Sequence, residues 1–394
     1  MTMNTQEDNK FRYSVGRAIP LWLAVLGSSF YCFAPFLLGT FIGEGYVTSS
    51  EAGWIASINM LGSCVALLVY SLPGMGSSFK VTALIALVMM TIGNLATIFS
   101  SNFLLLAVTR AATGFGEGAA IAAAIKILKQ DKGADRAFAM LILGMSVYGV
   151  VGLLVIPVII ARLGATYAYL LLALLPFVSL WFVCFNNPLT AASQPEIRQP
   201  AARSGIATPA ILLLVSIALV YVGTNGLWAY FERLGTHAGL TQNQIGMSLS
   251  GALFSSVLGS LAAAVMGVRF GRILPITFGL VLCCLSSVLL FHTNLYTYVA
   301  SATLLFGGTG FIFAYYMGLL IALDASSAAP NLAMLWIFLG NLVGPGLLGQ
   351  LTRENNYSLL YTGALAAFLT ALLLVLISKL LSGRTLTLAA LKTP

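Results

Sequence analysis

Acidic side chains are scarce in this sequence: Asp and Glu number 11 among 394 residues, and charged residues of both signs make up only 8%. Soluble domains carry about 25%. With 59% hydrophobic residues and a mean hydropathy of +0.97, the composition is that of a chain solvated by lipid. Histidine is rarer still. His237 and His292 stand alone, without companions at metal-ligand spacing, so no metal centre is expected. Cys32, Cys64, Cys184, Cys283 and Cys284 all fall inside apolar stretches without a CxxC spacing and read as packing residues. Paired catalytic carboxylates, a nucleophile with its base and a phosphate loop are all lacking, which argues against an enzyme and for no cofactor. The net charge of +8 comes from Lys and Arg scattered singly through short breaks, with no aromatic-interleaved patch, so nucleic acid is not an expected partner.

What is abundant is apolar sequence in runs of about 20 residues, enough to cross a bilayer's hydrocarbon. Twelve such spans are read, at 18–41, 50–72, 79–99, 103–128, 137–161, 165–185, 207–231, 241–266, 273–292, 295–322, 329–352 and 358–381. The expected fold class is therefore an all-α integral membrane protein. The segment Met1 to Arg17 is polar, and the apolar run after it shows no small-residue cleavage pattern, so it is expected to be retained as the first span. Sorting the 19 Lys and Arg by alternating sides puts fifteen with both termini, three (Arg162, Arg233, Arg353) opposite, and Arg110 within a span. That bias predicts cytoplasmic termini and a cytoplasmic (inner) membrane location.

The longest break, 186–206, holds Pro188, Pro195 and Pro200 and reads as a cytoplasmic linker between a first six-helix bundle, 1–185, and a second, 207–394. The halves echo each other. Leu61-Gly62-Ser63 returns as Leu258-Gly259-Ser260, Gly114-Phe-Gly116 as Gly308-Thr-Gly310, and Gly149-Val-Val-Gly152 as Gly346-Leu-Leu-Gly349, at offsets of 197, 194 and 197. Three matches in order at half the chain length indicate two pseudo-symmetric bundles.

Against this background, span four carries both Arg110 and Glu117. Seven residues is two helical turns, so the side chains fall within about 20° of one face. A charge near the bilayer centre costs about 3 to 17 kcal/mol and normally faces a bundle interior or a water path. A carboxylate at that depth is a candidate proton carrier, and Arg110 a candidate fixed positive anchor for substrate. The alternative is that the two groups bond each other, carbonyls, or Asn and Tyr side chains and only stabilise the bundle. Further candidates for solute contact are Tyr31, Asn59, Tyr148, Asn225, Trp228, Tyr315 and Asn341, the amides foremost because an amide facing lipid needs a partner. Trp336 and Tyr221 also lie near mid-span, whereas Glu232 and Arg233 read as interfacial and Asp324 as a cap at the membrane surface.

Arg110, Gly114, Glu117 and Gly118 resemble the Arg-x-x-x-Gly-x-x-Glu-Gly pattern in span four of the major facilitator superfamily, and Ser50-Glu51-Ala52-Gly53-Trp54-Ile55 is similar to that family's opening of span two. Arg269-Phe270-Gly271-Arg272 resembles its cytoplasmic latch, for which Arg269, Gly271 and Arg272 are the matching residues. The segment from Pro73 to Lys80 lacks the Asp-Arg pair and Gly-Arg element of the same latch, and span five lacks the Gly-Pro junction of the family's exporters. The resemblance implies the family's twelve-helix fold, a monomer, and alternating-access transport of a small organic solute with proton coupling through Glu117. Its rivals are a proton-driven exporter of drugs or metabolites on the same fold and a membrane sensor that has lost transport.

Overall fold

The computed structural model describes residues 18–71, 78–128, 134–185, 207–323, 328–352 and 356–390. Among them twelve helices are long and apolar enough to span a membrane. They are α1 (Ala18–Gly43), α2 (Ser49–Ser71), α3 (Phe79–Ile98), α4 (Phe103–Leu128), α5 (Ala134–Leu163), α6 (Ala165–Phe185), α7 (Thr208–His237), α8 (Gln242–Met266), α9 (Ile273–Leu289), α10 (Leu295–Leu323), α11 (Ala328–Gly349) and α12 (Ser358–Ala390). The linker at 186–206, Asp324, Arg353 and most of the Pro73–Lys80 segment lie outside the described residues.

Local chemistry starts these helices. Thr48 and Glu51 close a capping box ahead of α2, with Thr48 N–H donating to Glu51 Oε2 at 2.8 Å and Glu51 N–H to Thr48 Oγ1 at 3.2 Å. Thr241 and Gln244 do the same for α8. α12 continues as a helix to Ala390 beyond its span end at Leu381, and the membrane-spanning parts of the helices agree with the hydropathy reading within three residues except at α7, which runs to His237 instead of 231. The cause is Glu232. Its carboxylate is buried and accepts from Thr236 Oγ1 (3.0 Å) and Gln242 Nε2 (2.8 Å), with Arg233 Nε at 3.3 Å, so the two charges that bound the apolar run are accommodated within the helix.

The chain divides into two compact units, 1–47 with 58–196, and 48–57 with 197–394. Within the first, Leu23, Leu26, Ala83, Ala86, Met90, Ala119 and Ala123 form the core of α1, α3 and α4. Within the second, Leu213, Ile217, Ile276, Ile312, Tyr316 and Val375 do so for α7, α9, α10 and α12. α1 and α7 are the most enclosed helices, with 83% and 72% of their apolar windows buried, whereas α5, α8 and α12 bury 22%, 28% and 28%. The last three are apolar toward lipid, which is why hydropathy alone does not separate them from core helices.

The internal repeat is visible as geometry. Gly62 of α2 abuts the Ala111 carbonyl of α4, and Gly259 of α8 abuts the Gly307 carbonyl of α10. Ser63 Oγ donates to Gly114 O at 2.9 Å, and Ser260 Oγ to Gly310 O at 3.1 Å. Span two thus maps to span eight at an offset of 197, but span four maps to span ten at 196, which pairs Gly114 with Gly310 rather than Gly308. The two-residue error arises because a Gly-x-Gly triplet aligns as readily on its wrong glycine when only residue identity is compared.

Candidate functional site

The site begins with a fault in α1. In Gly27-Ser28-Ser29, both hydroxyls turn back on the helix: Ser28 Oγ donates to Val25 O at 2.7 Å and Ser29 Oγ to Leu26 O at 2.6 Å. Serine pairs of this kind compete with the backbone ladder and bend helices. Ser28 leaves the helical run, and a fresh helical segment starts at Ser29. With the Leu26 carbonyl engaged by a hydroxyl, the N–H of Phe30 donates sideways to Glu117 Oε1 at 3.0 Å.

Glu117 is therefore a carboxylate capping a helix start inside the membrane. Its second oxygen, Oε2, accepts from Asn59 Nδ2 of α2 at 2.8 Å. Three helices meet on one side chain that is 3% exposed. The positive end of the restarted helix favours negative charge there by about 0.3 to 2 kcal/mol. Close approach is arranged by small residues: a Cβ on Gly27 would lie 2.6 Å from Glu117 O, and one on Gly114 would collide with the Asn59 carbonyl.

Arg110 is turned elsewhere. Its Nη2 faces Thr97 Oγ1 (2.7 Å), Asn94 Oδ1 (2.9 Å), Thr113 Oγ1 (3.0 Å) and Gly93 O (3.4 Å), and its guanidinium carbon stands 5.9 Å from the Tyr169 ring centre. The side chain is 1% exposed and seats α4 on α3 and α6, while its Nε has no hydrogen-bond partner. Sharing a helix face does not make Arg110 and Glu117 a pair: among the described residues Arg110 has no carboxylate within 4.0 Å. The seven-residue spacing fixed direction from the helix axis, and each side chain then leaned to a different neighbouring helix.

Beside the fault, Tyr148 of α5 shares a hydrogen bond with Ser29 Oγ at 2.8 Å and packs on Phe33 and Trp22. Tyr31 is half-buried one residue beyond Phe30. In the second unit Asn225 Nδ2 donates to Asn341 Oδ1, joining α7 to α11. Trp228 is buried against Phe306, with ring centres 4.7 Å apart. Tyr315 stands apart from these, in the core, reaching Ala263 O at 3.4 Å. The structure thus brings Asn59, Glu117, Ser29 and Tyr148 together around the α1 fault, Asn225 with Asn341, and Arg110 with residues the sequence reading passed over. Of those, Asn94 carried the same signal as Asn59, an amide in an apolar run. Thr97, Thr113 and the backbone N–H of Phe30 carried none.

The chain matches the sequence profile of the Major Facilitator Superfamily over residues 21–345. It belongs to that superfamily. As such it is a multi-pass membrane protein of transporter type. No curated sequence matches it significantly. Among solved structures, the peptide transporter POT is similar at a TM-score of 0.73 with 13% identity, covering 92% of this chain and 94% of the other. The nucleoside transporter NupG gives 0.70 and 12%, covering 92% and 99%. A bacterial homolog of the human lysosomal transporter Spinster gives 0.63 and 13%, covering 94% and 95%. At such identities these likenesses concern the fold. In this facilitator the residues resembling the latch lie between α8 and α9. Gly271 has a φ of +71°, the left-handed turn that a side chain would strain, and Arg272 lies across Gly318 of α10, its Nε 2.9 Å from where a Cβ would stand.

Proposed function

We propose that this protein moves a small organic solute across the cytoplasmic membrane by alternating access, with both termini cytoplasmic and with transport coupled to protons through Glu117. The observation that carries the reading is a membrane-buried carboxylate bound by two neutral donors, Phe30 N–H and Asn59 Nδ2, with no cation paired to it among the described residues. A paired cation holds a carboxylate ionised; neutral donors favour the ionised form more weakly and burial opposes it, so both protonation states stay within reach. Arg110, saturated at Nη2 by α3 and α4, supplies a standing positive charge and a helix clamp. Solute contacts fall to Asn225, Asn341 and Trp228 in the second unit and to Tyr31 and Tyr148 in the first. An amide pair retains donors and an acceptor beyond its mutual bond, which suits an uncharged polar solute.

The test is reconstitution in liposomes with an imposed pH gradient. Glu117→Gln is expected to abolish gradient-driven accumulation while leaving counterflow exchange, and unchanged accumulation removes Glu117 from the mechanism. A ligand-induced thermal-shift screen supplies the solute, starting with nucleosides and peptides, which structural neighbours are named for, followed by sugars, amino acids, organic acids and drug-like cations. Inward against outward flux then separates an importer from an exporter, and binding without flux points to a sensor.

A further inference from the structure

Glu117 accepts a hydrogen bond on each oxygen, and its two donors differ in kind. The Phe30 N–H is fixed in the backbone and can only donate. Asn59 is a side-chain amide, and its own oxygen, Oδ1, is buried with no hydrogen-bond partner, in a residue that is 0% exposed. An acceptor left unsatisfied beside a titratable carboxylate is the odd feature of this cluster, because buried amide oxygens are almost always paired.

We infer that Asn59 is a reversible positioning residue for the proton on Glu117, turning its amide by half a revolution between the two protonation states. This rests on the reading of Glu117 as the proton site. With Glu117 ionised, Asn59 Nδ2 donates to Oε2, as observed. A proton arriving from water bonds to Oε2, the new O–H donates to Asn59 Oδ1, and the amide rotates to bring that oxygen round. Oε1 keeps the Phe30 N–H throughout, so the proton is directed to Oε2. One amide atom of Asn59 goes unpartnered in either state, first the oxygen and then the nitrogen, so that cost is shared and does not bind the proton permanently. A serine or threonine hydroxyl at this position would reorient too, but a backbone group would not. The other ionisable groups whose fields reach Glu117 are Cys32 of α1, Tyr148 of α5 and Arg110 of its own helix. None of them donates a hydrogen bond to the carboxylate.

The experiment is pH-jump infrared difference spectroscopy on the full chain in lipid nanodiscs, with isotope-labelled asparagine to mark amide bands. Acidification is expected to produce a protonated carboxyl band, absent in Glu117→Gln, together with a labelled amide change that vanishes both in Glu117→Gln and in Asn59→Ala. In Asn59→Ala the carboxyl band is expected to move to higher frequency, since its O–H loses an acceptor. That measurement stands alone if Glu117→Gln does not fold. A titrating carboxyl band without an amide change, or one unmoved in Asn59→Ala, overturns the role of Asn59 and leaves Glu117 as the proton site. Absence of any titrating carboxyl band overturns both.

Discussion

Where α4 carries Arg110 and Glu117, the repeat places Phe306 and Phe313 in α10, and where α2 carries Asn59, α8 carries Ser256. The scaffold between these positions is nonetheless shared. Gly114 and Gly310 occupy the same seat, and Thr113 and Thr309 each donate to the carbonyl one turn back, at 2.8 and 2.9 Å. Gly152 lies against Phe33 as Gly349 lies against Tyr230. Small residues that let helices touch are thus kept in both halves, and the ionised groups at the positions of Arg110 and Glu117 are replaced by phenylalanine in the second, whose buried carboxylate, Glu232, sits instead near a helix end beside Arg233. In the second half, Phe306 fills the Arg110 position and meets Trp228 edge to face. On the proposed function, this asymmetry would give charge handling to the first half and neutral and aromatic contacts to the second.

Arg110 gives the sharpest test of that contrast. Arg110→Met strands the oxygens of Asn94, Thr97 and Thr113 that now share its guanidinium, and is expected to cost about 3 kcal/mol. Phe306→Met changes shape within an apolar seat and is expected to cost less than about 1.5 kcal/mol. Chemical unfolding in detergent micelles compares the two. Equal losses mean that the buried charge carries no special structural weight.

The glycine seats test the shared part. Gly114→Ala drives a methyl into the Asn59 carbonyl and Gly310→Ala drives one into the Ser256 carbonyl. Each is expected to lower stability by about 1 to 3 kcal/mol, the usual range for overpacking. Because the contact is the same, the two losses are expected to match within about 0.5 kcal/mol, the ordinary scatter between independent sites. A tolerated alanine at Gly310 breaks the 196-residue register.

The architecture was readable in the chain because it depends on sums over many residues. Twelve apolar runs and the glycine echoes survive errors at any single position. Arg110 and Glu117 were found for a related reason, since an ionised group in hydrocarbon is conspicuous by itself. Their partners were not. Which neighbour a side chain reaches is decided by helix packing, so the turn of Arg110 toward Asn94 and of Glu117 toward Phe30 had no one-dimensional trace. Ser28-Ser29 was the missed clue, two hydroxyls in an enclosed apolar run. Glu232 shows the opposite failure, a charge read as interfacial that the structure buries.

Ser29 offers a smaller perturbation of the same contrast. Its equivalent in α7 is Gly226, which has no hydroxyl, and α7 runs unbroken from Thr208 to His237. Ser29→Ala frees the Leu26 carbonyl to accept the Phe30 N–H along the helix, making α1 more like α7. The loss of the Tyr148 partner is expected to cost about 1 kcal/mol. Gradient-driven accumulation is expected to fall further than counterflow, because the carboxylate's cap is weakened while the rest of α1 stays in place. A parallel fall in both measurements separates the fault from coupling.

The smallest effect is expected at Glu232, the other buried carboxylate among the described residues. Unlike Glu117, it sits near the end of its helix, beside Arg233, with Thr236 and Gln242 on Oε1. It therefore has a cation beside it, 3.3 Å away though not hydrogen-bonded to it, which Glu117 lacks, and in place of a restarted helix it holds the turn between α7 and α8. Glu232→Gln retains an oxygen for Thr236 and Gln242 and gives up the attraction to a partly exposed arginine, which is worth about 0.5 to 1 kcal/mol. Stability is expected to drop by that amount, with pH-gradient accumulation unchanged. If Glu232→Gln instead removes accumulation as Glu117→Gln does, burial and not the absence of a paired cation is what marks a coupling carboxylate in this fold, and the division of labour between the halves fails with it.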